Sequence, residues 1–203
     1  MSETLTVGSI RLAVLCLFTS AVRPSLSRAQ ANPVFVITRE VSTITFYVKS
    51  SVSIAGNFDK WDATLTFTSP DVSTGVLDVK IQADSVNTGS GMKDGKLKSK
   101  DFFDVEQDPL ITFLSKKIVQ TGPGTFEVQG DFTIRGVTKP ETLTLTVSGA
   151  GTGAGEIKGT MAFDRKDYGM NKGIPFVKVA DRVEVTVDLN CKRVSGPPLV
   201  FAQ

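Results

Sequence analysis

The chain has 203 residues, 40% of them apolar and 22% charged, with a formal charge of +2. That length and composition fit one ordinary domain with a real core plus an accessory segment, and exclude a disordered polymer. It contains no histidine and only two cysteines, Cys16 and Cys191, which excludes Ser-His-Asp and Cys-His catalysis, imidazole metal sites, a cysteine-only zinc site and a disulfide framework.

The N-terminus reads as a separate object. Leu12 to Val22 is an eleven-residue, mostly apolar run preceded by Arg11, too short for the roughly 20 apolar residues of a membrane-spanning helix. It has the length of a signal-peptide core, and Ala29-Gln30-Ala31 supplies a small-x-small cleavage site. The expectation is an export signal over 1–31, a periplasmic or secreted protein, and no stable membrane insertion. Glu3, Arg23 and Arg28 depart from the usual pattern. The segment holds three of the 23 basic and one of the 21 acidic side chains, so residues 32–203 carry 20 of each. That neutral balance gives no support for binding nucleic acid through phosphate contacts.

From residue 34 the dominant period is two. Residues 34–37 are a short strand or an extension of the first. Alternation then runs through Ile44-Phe46-Val48, Leu65-Phe67, Leu77-Val79-Ile81, Ile111-Phe113, Phe126 to Ile134, Leu143-Leu145-Val147, Ile157 to Phe163, and Val183 to Leu189. These eight segments, each with one apolar and one polar face, predict antiparallel strands. Ser69-Pro-Asp, Thr121-Gly-Pro-Gly and the glycine-rich 148–155 read as hairpin loops. Residues 85–108 hold the one short helix expected, within 92–103. Residues 164–182 form a second long connection, and long ordered loops in compact domains are usually functional or packing flaps. The tail 191–203, with Ser195-Gly-Pro-Pro, reads as disordered. The predicted fold is all-β: an eight-stranded antiparallel barrel with one short helix, preferred over a sandwich because closure removes exposed edges.

Candidate chemistry is sparse. The glycine-rich 149–155 leads into renewed alternation rather than a helix, so it reads as a turn and not a dinucleotide loop. Ser90-Gly-Met-Lys93 has the serine-lysine spacing without the accompanying motifs. Asp59 and Asp62 read as a solvated turn rather than cation ligands, and Cys191 as a small end-of-strand side chain. The apolar face is more informative. Phe46, Phe67, Phe113, Phe126, Phe132 and Phe163 point inward, while Gly130 and Gly159 sit mid-strand on the same register and leave volume beside them. Ser115 continues that register as a candidate polar mouth. These residues leave both an apolar ligand cavity and a filled core open.

The connections narrow this. Ser85-Val-Asn-Thr-Gly, Asp94, Leu97-Lys-Ser, Asp101-Phe-Phe-Asp104, Pro109, Ile111, Phe113 and Ser115 resemble the central signature of the YceI-like family. Gly130-Asp-Phe-Thr-Ile-Arg-Gly-Val-Thr-Lys-Pro140, Asp164-Arg-Lys-Asp-Tyr-Gly169 and the Gly56/Phe58 pair match it too. Together they span nearly all of 34–190, in order. The resemblance implies a lipocalin-like barrel whose elongated apolar cavity takes up polyisoprenoid or another long-chain lipid, with no catalytic cofactor and no catalysis. Ser50 and Lys96 stand where relatives often carry histidine, so the relatives' head-group recognition need not transfer. The expected lining is Ile44, Phe46, Val48, Leu65, Phe67, Phe113, Gly130, Phe132, Gly159, Met161 and Phe163. Lys98, Arg135 and Arg165 are the expected head-group contacts. The alternative is a non-binding structural or stress-response barrel filled by its phenylalanines. A homodimer is neither required nor excluded.

Overall fold

A computed structural model describes residues 32–51, 54–149, 152–173 and 176–201; the segment read as an export signal lies outside them. Eleven strands form in chain order: β1 (Val34–Ile37), β2 (Thr43–Ser50), β3 (Ile54–Phe58), β4 (Trp61–Phe67), β5 (Gly75–Gln82), β6 (Val86–Asn87), β7 (Leu110–Gly122), β8 (Thr125–Ile134), β9 (Val137–Ser148), β10 (Ala154–Asp164) and β11 (Val179–Ser195). A single α-helix, α1 (Gly91–Lys98), lies among the described residues.

The sheet closes on itself. β4, β5, β7, β8, β9, β10 and β11 pair in that order, and β1 joins the two ends by pairing with β11 and, through Val34 and Thr66, with β4. The result is a closed eight-stranded antiparallel barrel. β11 is long enough to serve two partners, its C-terminal part pairing with β1 and its N-terminal part with β2. β3 and β6 extend the sheet from β2. All eight alternating segments are strands. β3 and β6 are additional, and neither carries a clear two-residue alternation: Ile54-Ala-Gly-Asn-Phe58 has glycine and asparagine at its centre, and β6 is two residues long.

The alternation turns one face inward. Ile44, Phe126, Val128, Ile134 and Leu189 are almost wholly buried, and the polar partners on the same strands face out. The C-terminal region differs from the expected disordered tail. Cys191 to Ser195 belong to β11, Val200 bridges Asp71, and Phe201 lies 6.0 Å from Phe126 between ring centroids. Proline and glycine at 196–198 turn the chain, and beyond them the Val200 backbone and the Phe201 ring supply the contacts that composition alone conceals.

The two mid-strand glycines also differ from expectation. At Gly130 a β-carbon would lie 2.5 Å from the Leu114 carbonyl oxygen and 2.8 Å from Cζ of Phe113. At Gly159 it would lie 2.5 Å from Leu145 Cδ2 and 2.6 Å from Val187 Cγ2. Neighbouring side chains occupy the space that each glycine vacates. Ser115 is buried beside a β-bulge in β7, and its hydroxyl accepts the Leu77 N–H at 2.8 Å. It satisfies a backbone donor inside the wall rather than forming a mouth. Gly130→Ala should therefore cost about 1–3 kcal/mol through overpacking, read as a lower urea midpoint; an unchanged midpoint would contradict this packing.

Candidate functional site

The barrel interior holds two apolar cavities, placed end to end by the strand registers. One, of about 100 Å³, lies under the C-terminal segment and is bounded by Phe35, Leu65, Phe67, Leu77, Val79, Ile118, Phe126, Leu145, Val187, Cys191, Leu199 and Phe201 among others. The other, of about 270 Å³, lies under α1. It is bounded by Phe46, Val48, Ile54, Phe58, Ile81, Leu97, Phe102, Phe103, Ile111, Phe132, Phe163, Met170 and Val183 among others. Ile44 lines both.

A waist separates the tail-side and helix-side cavities. On β10, Ile157 faces the first and Phe163 the second, with Gly159 and Met161 between them. On β7, Ile111 and Ile118 face opposite cavities, with Phe113 and Ser115 between. On β8, Phe126 and Phe132 do the same around Val128 and Gly130. Of the expected lining, Phe46, Val48, Phe132 and Phe163 meet in the helix-side cavity, Leu65 and Phe67 in the tail-side one, and Ile44 in both. Phe113, Gly130, Gly159 and Met161 belong to the waist. The single elongated cavity implied by the resemblance is thus divided in two.

The helix-side cavity opens where α1 and residues 176–179 meet the barrel end. α1 begins after a local hydrogen-bond cluster: Asp94 accepts from the Thr88 N–H at 2.8 Å and from its hydroxyl at 2.6 Å. The Thr88 hydroxyl holds the Asp94 carboxyl below its ordinary range. α1 turns Leu97 into the core and sets Met92, Lys93 and Lys96 along the cavity. Phe102 and Phe103 follow it into the wall. They are the legible signal in this connection, an aromatic pair in an otherwise polar stretch.

Of the three expected head-group cations, Arg165 borders a cavity and Lys98 and Arg135 do not. Arg165 does border the helix-side cavity, but its guanidinium is committed elsewhere. It donates to the carbonyls of Met170, Lys172 (2.9 Å) and Ala180 (3.2 Å), and to Asp181 Oδ1 at 2.9 Å. It braces the long 165–181 connection over the cavity. Arg135 sits in the two-residue turn between β8 and β9 with φ of 55°. It donates to the carbonyls of Gly169 and Lys100, both at 2.8 Å, tying two loops together. Lys98 lies near Asp94 and is not among the lining residues. The other cations at the cavity are Lys93 and Lys96, the latter ion-paired to Asp101 at 2.7 Å and 5.7 Å from the Phe102 ring. Both departures from the resemblance lie here: Lys96 lines the cavity, and Ser50 pairs with the lining residue Val179.

The remaining candidates fit structural roles. Asp59 accepts from the Asn57 and Asn87 side chains at 2.6 and 3.0 Å, whereas Asp62 lies opposite Lys80 across β4 and β5. Among the described residues no cluster of cysteine, aspartate or glutamate has the arrangement of a metal site. The buried Cys191 thiol donates to the Gly155 carbonyl at 3.4 Å, and burial raises its pKa, which disfavours the thiolate.

Fold and site together define a lipocalin-like barrel whose apolar interior holds two cavities, one of them bordered by a short helix. The YceI-like domain model matches residues 35–191, and the chain belongs to the YceI-like family. A UPF0312 protein of Pseudomonas savastanoi pv. phaseolicola is 32% identical over 134 residues, covering 63% of this chain and 69% of that one. The crystal structure of Burkholderia cenocepacia BcnA superposes with TM-score 0.69 at 25% identity, covering 76% of this chain and 99% of that one. A polyisoprenoid binding domain from Saccharophagus degradans shares the fold, with TM-score 0.64, 16% identity and coverage of 79% and 99%. Among the described residues no helix is long and apolar enough to cross a membrane.

At the cavity wall, the Tyr168 ring packs edge-on against Phe132 and Phe163, which are tilted to each other, with centroids 5.0–5.5 Å apart. The Tyr168 hydroxyl donates to Glu141 Oε1 at 2.8 Å. Burial first, and then the Glu141 carboxyl beside it, push this phenol well above its ordinary value of 10.0. The folded state therefore holds the proton more tightly than the unfolded chain. The resulting stability is complete below pH 10 and is lost as the pH rises further. Tyr168→Phe should cost about 1 kcal/mol at neutral pH, and its urea midpoint should fall less steeply above pH 10 than that of the unmodified protein. Parallel pH profiles would contradict this.

Proposed function

We propose that this protein binds a long apolar molecule, such as a polyisoprenoid, an isoprenoid quinone or a lipid of similar shape, and carries or sequesters it. The observation that carries the reading is the helix-side cavity, about 270 Å³ of space walled by apolar side chains and reaching the surface at α1. Burying hydrocarbon contributes about 0.8 kcal/mol per CH2, so such a cavity holds a chain with little polar recognition, although ordering that chain offsets part of the gain. The shared fold with a domain that binds polyisoprenoid supports the same class of ligand.

This reading is favoured over a phenylalanine-filled, non-binding barrel because the rings pack into the wall. Phe46, Phe58 and Phe103 stack successively at 5.5 and 6.0 Å, and Phe132 packs on Phe163, with the cavity left between the two groups. Lys93, Lys96 and Arg165 border this cavity and are the cations that an anionic or polar head would meet there. The waist at Ile44, Phe113 and Met161 sets how deep the chain penetrates. The reading assigns the protein no catalytic step, and it places the protein in the periplasm or outside the cell, in keeping with the signal-like start.

The test is native mass spectrometry with titration of a fluorescent isoprenoid. Val183 faces the helix-side cavity and Val147 the tail-side one. Val183→Phe should weaken uptake by about tenfold or more, equivalent to about 1.4 kcal/mol, while Val147→Phe leaves it intact. An equal loss in both variants, or a protein that takes up no isoprenoid, would overturn the reading.

A further inference from the structure

The entrance to the helix-side cavity has features that ligand binding alone does not require. Met92 lines the cavity yet is 88% exposed. Phe176, next in the chain to the lining residue Val177, is fully exposed. Its φ of 62° is a conformation that aromatic residues seldom adopt. Met92 on the cavity wall and Phe176 beside a wall residue are thus both exposed to water, where each is costly to expose.

The charge around them is equally uneven. The segments that carry the rim, residues 91–101, 171–173 and 176–180, hold six lysines (Lys93, Lys96, Lys98, Lys100, Lys172 and Lys178) against two aspartates, Asp94 and Asp101. Residues 32–203 as a whole are formally balanced at 20 basic and 20 acidic side chains. The positive excess at the rim is therefore compensated elsewhere on the domain, and the charge separation orients the molecule in a field.

We propose that this rim docks on the surface of an anionic lipid bilayer. Met92 and Phe176 enter the interface and the lysines face lipid phosphates, so that an apolar chain passes between membrane and barrel without crossing water. Exposed apolar side chains ringed by lysine have the composition of reversible interfacial anchors, which lie on a membrane rather than span it. A lipid surface is favoured over a protein partner because the patch surrounds an apolar entrance. A protein seated there would close the entrance, whereas a bilayer supplies what the cavity holds. The transfer role rests on the ligand-binding reading; the docking does not.

The test is co-sedimentation of the protein with vesicles of phosphatidylcholine alone and of phosphatidylcholine mixed with phosphatidylglycerol. Phe176→Ser and the double variant Lys100→Glu/Lys178→Glu are run beside the unmodified protein, each checked by thermal melting. Binding should require phosphatidylglycerol, weaken as salt rises, and fall by about tenfold or more in both variants. These variants should still take up a fluorescent isoprenoid added from ethanol, while losing its extraction from anionic vesicles. Binding that is indifferent to lipid charge or unchanged in both variants overturns the proposal. So does a concentration-dependent dimer abolished by Phe176→Ser, which would give the rim to a second copy. Vesicle docking without uptake from ethanol would leave the docking standing and remove the ligand reading.

Discussion

Closure of the sheet through β1 is the constraint on which the rest of the structure depends. β1 is four residues long, yet it pairs along its length with the end of β11 and touches β4 at Val34. Without it the ring would be open between β4 and β11, and two rows of backbone donors and acceptors would face solvent or another chain. With it, every inward side chain of eight strands points at the same axis. Eight strands enclose a space that side chains can just fill or leave partly vacant for one small ligand. This chain does both, filling the waist and leaving space at either end.

The waist follows from register rather than from any one large residue. Phe113 lies opposite Val79 of β5 and Phe132 of β8, one lining each cavity, and its ring covers the position that Gly130 vacates. Leu145 and Val187 meet over Gly159. The glycines allow neighbouring side chains to cross the axis, so they divide the interior instead of emptying it. The two ends then diverge. Phe201 and Leu199 fold back over the tail-side cavity, while the helix end is bounded by a short, lysine-rich element and by a connection held through Arg165.

Much of the fold was legible because a period of two is a direct consequence of strand geometry. Seven of the eight ring strands, β2 beside them and the inward phenylalanines follow from it, whereas β1, which closes the ring, is too short to show a clear period. What was not legible depends on contacts between distant segments. Nothing local says that Arg165 meets three carbonyls of its own connection and Asp181, or that Arg135 reaches Lys100 and Gly169. A cation in a family-matching loop therefore gives no sign, in sequence, of the loop-bracing bonds that it makes. The order of the C-terminal residues depends on Val200 and Phe201 finding Asp71 and Phe126, which the intervening Ser-Gly-Pro-Pro conceals. Lys96 was singled out only as a departure from the relatives' pattern. Its place on the cavity wall follows from which face of α1 Leu97 buries, and the helix is too short and polar for that face to stand out.

Methyl NMR of the isoleucine- and valine-labelled protein, titrated with a polyisoprenoid, reads directly whether an apolar ligand enters the helix-side cavity. Ligand binding there should perturb Ile54, Ile111 and Val183, which line that cavity, with Ile44 responding at the waist and Val147 in the tail-side cavity unmoved. Perturbations centred on Val147 and Ile118, or confined to exposed methyls such as those of Val36 and Val194, would contradict it.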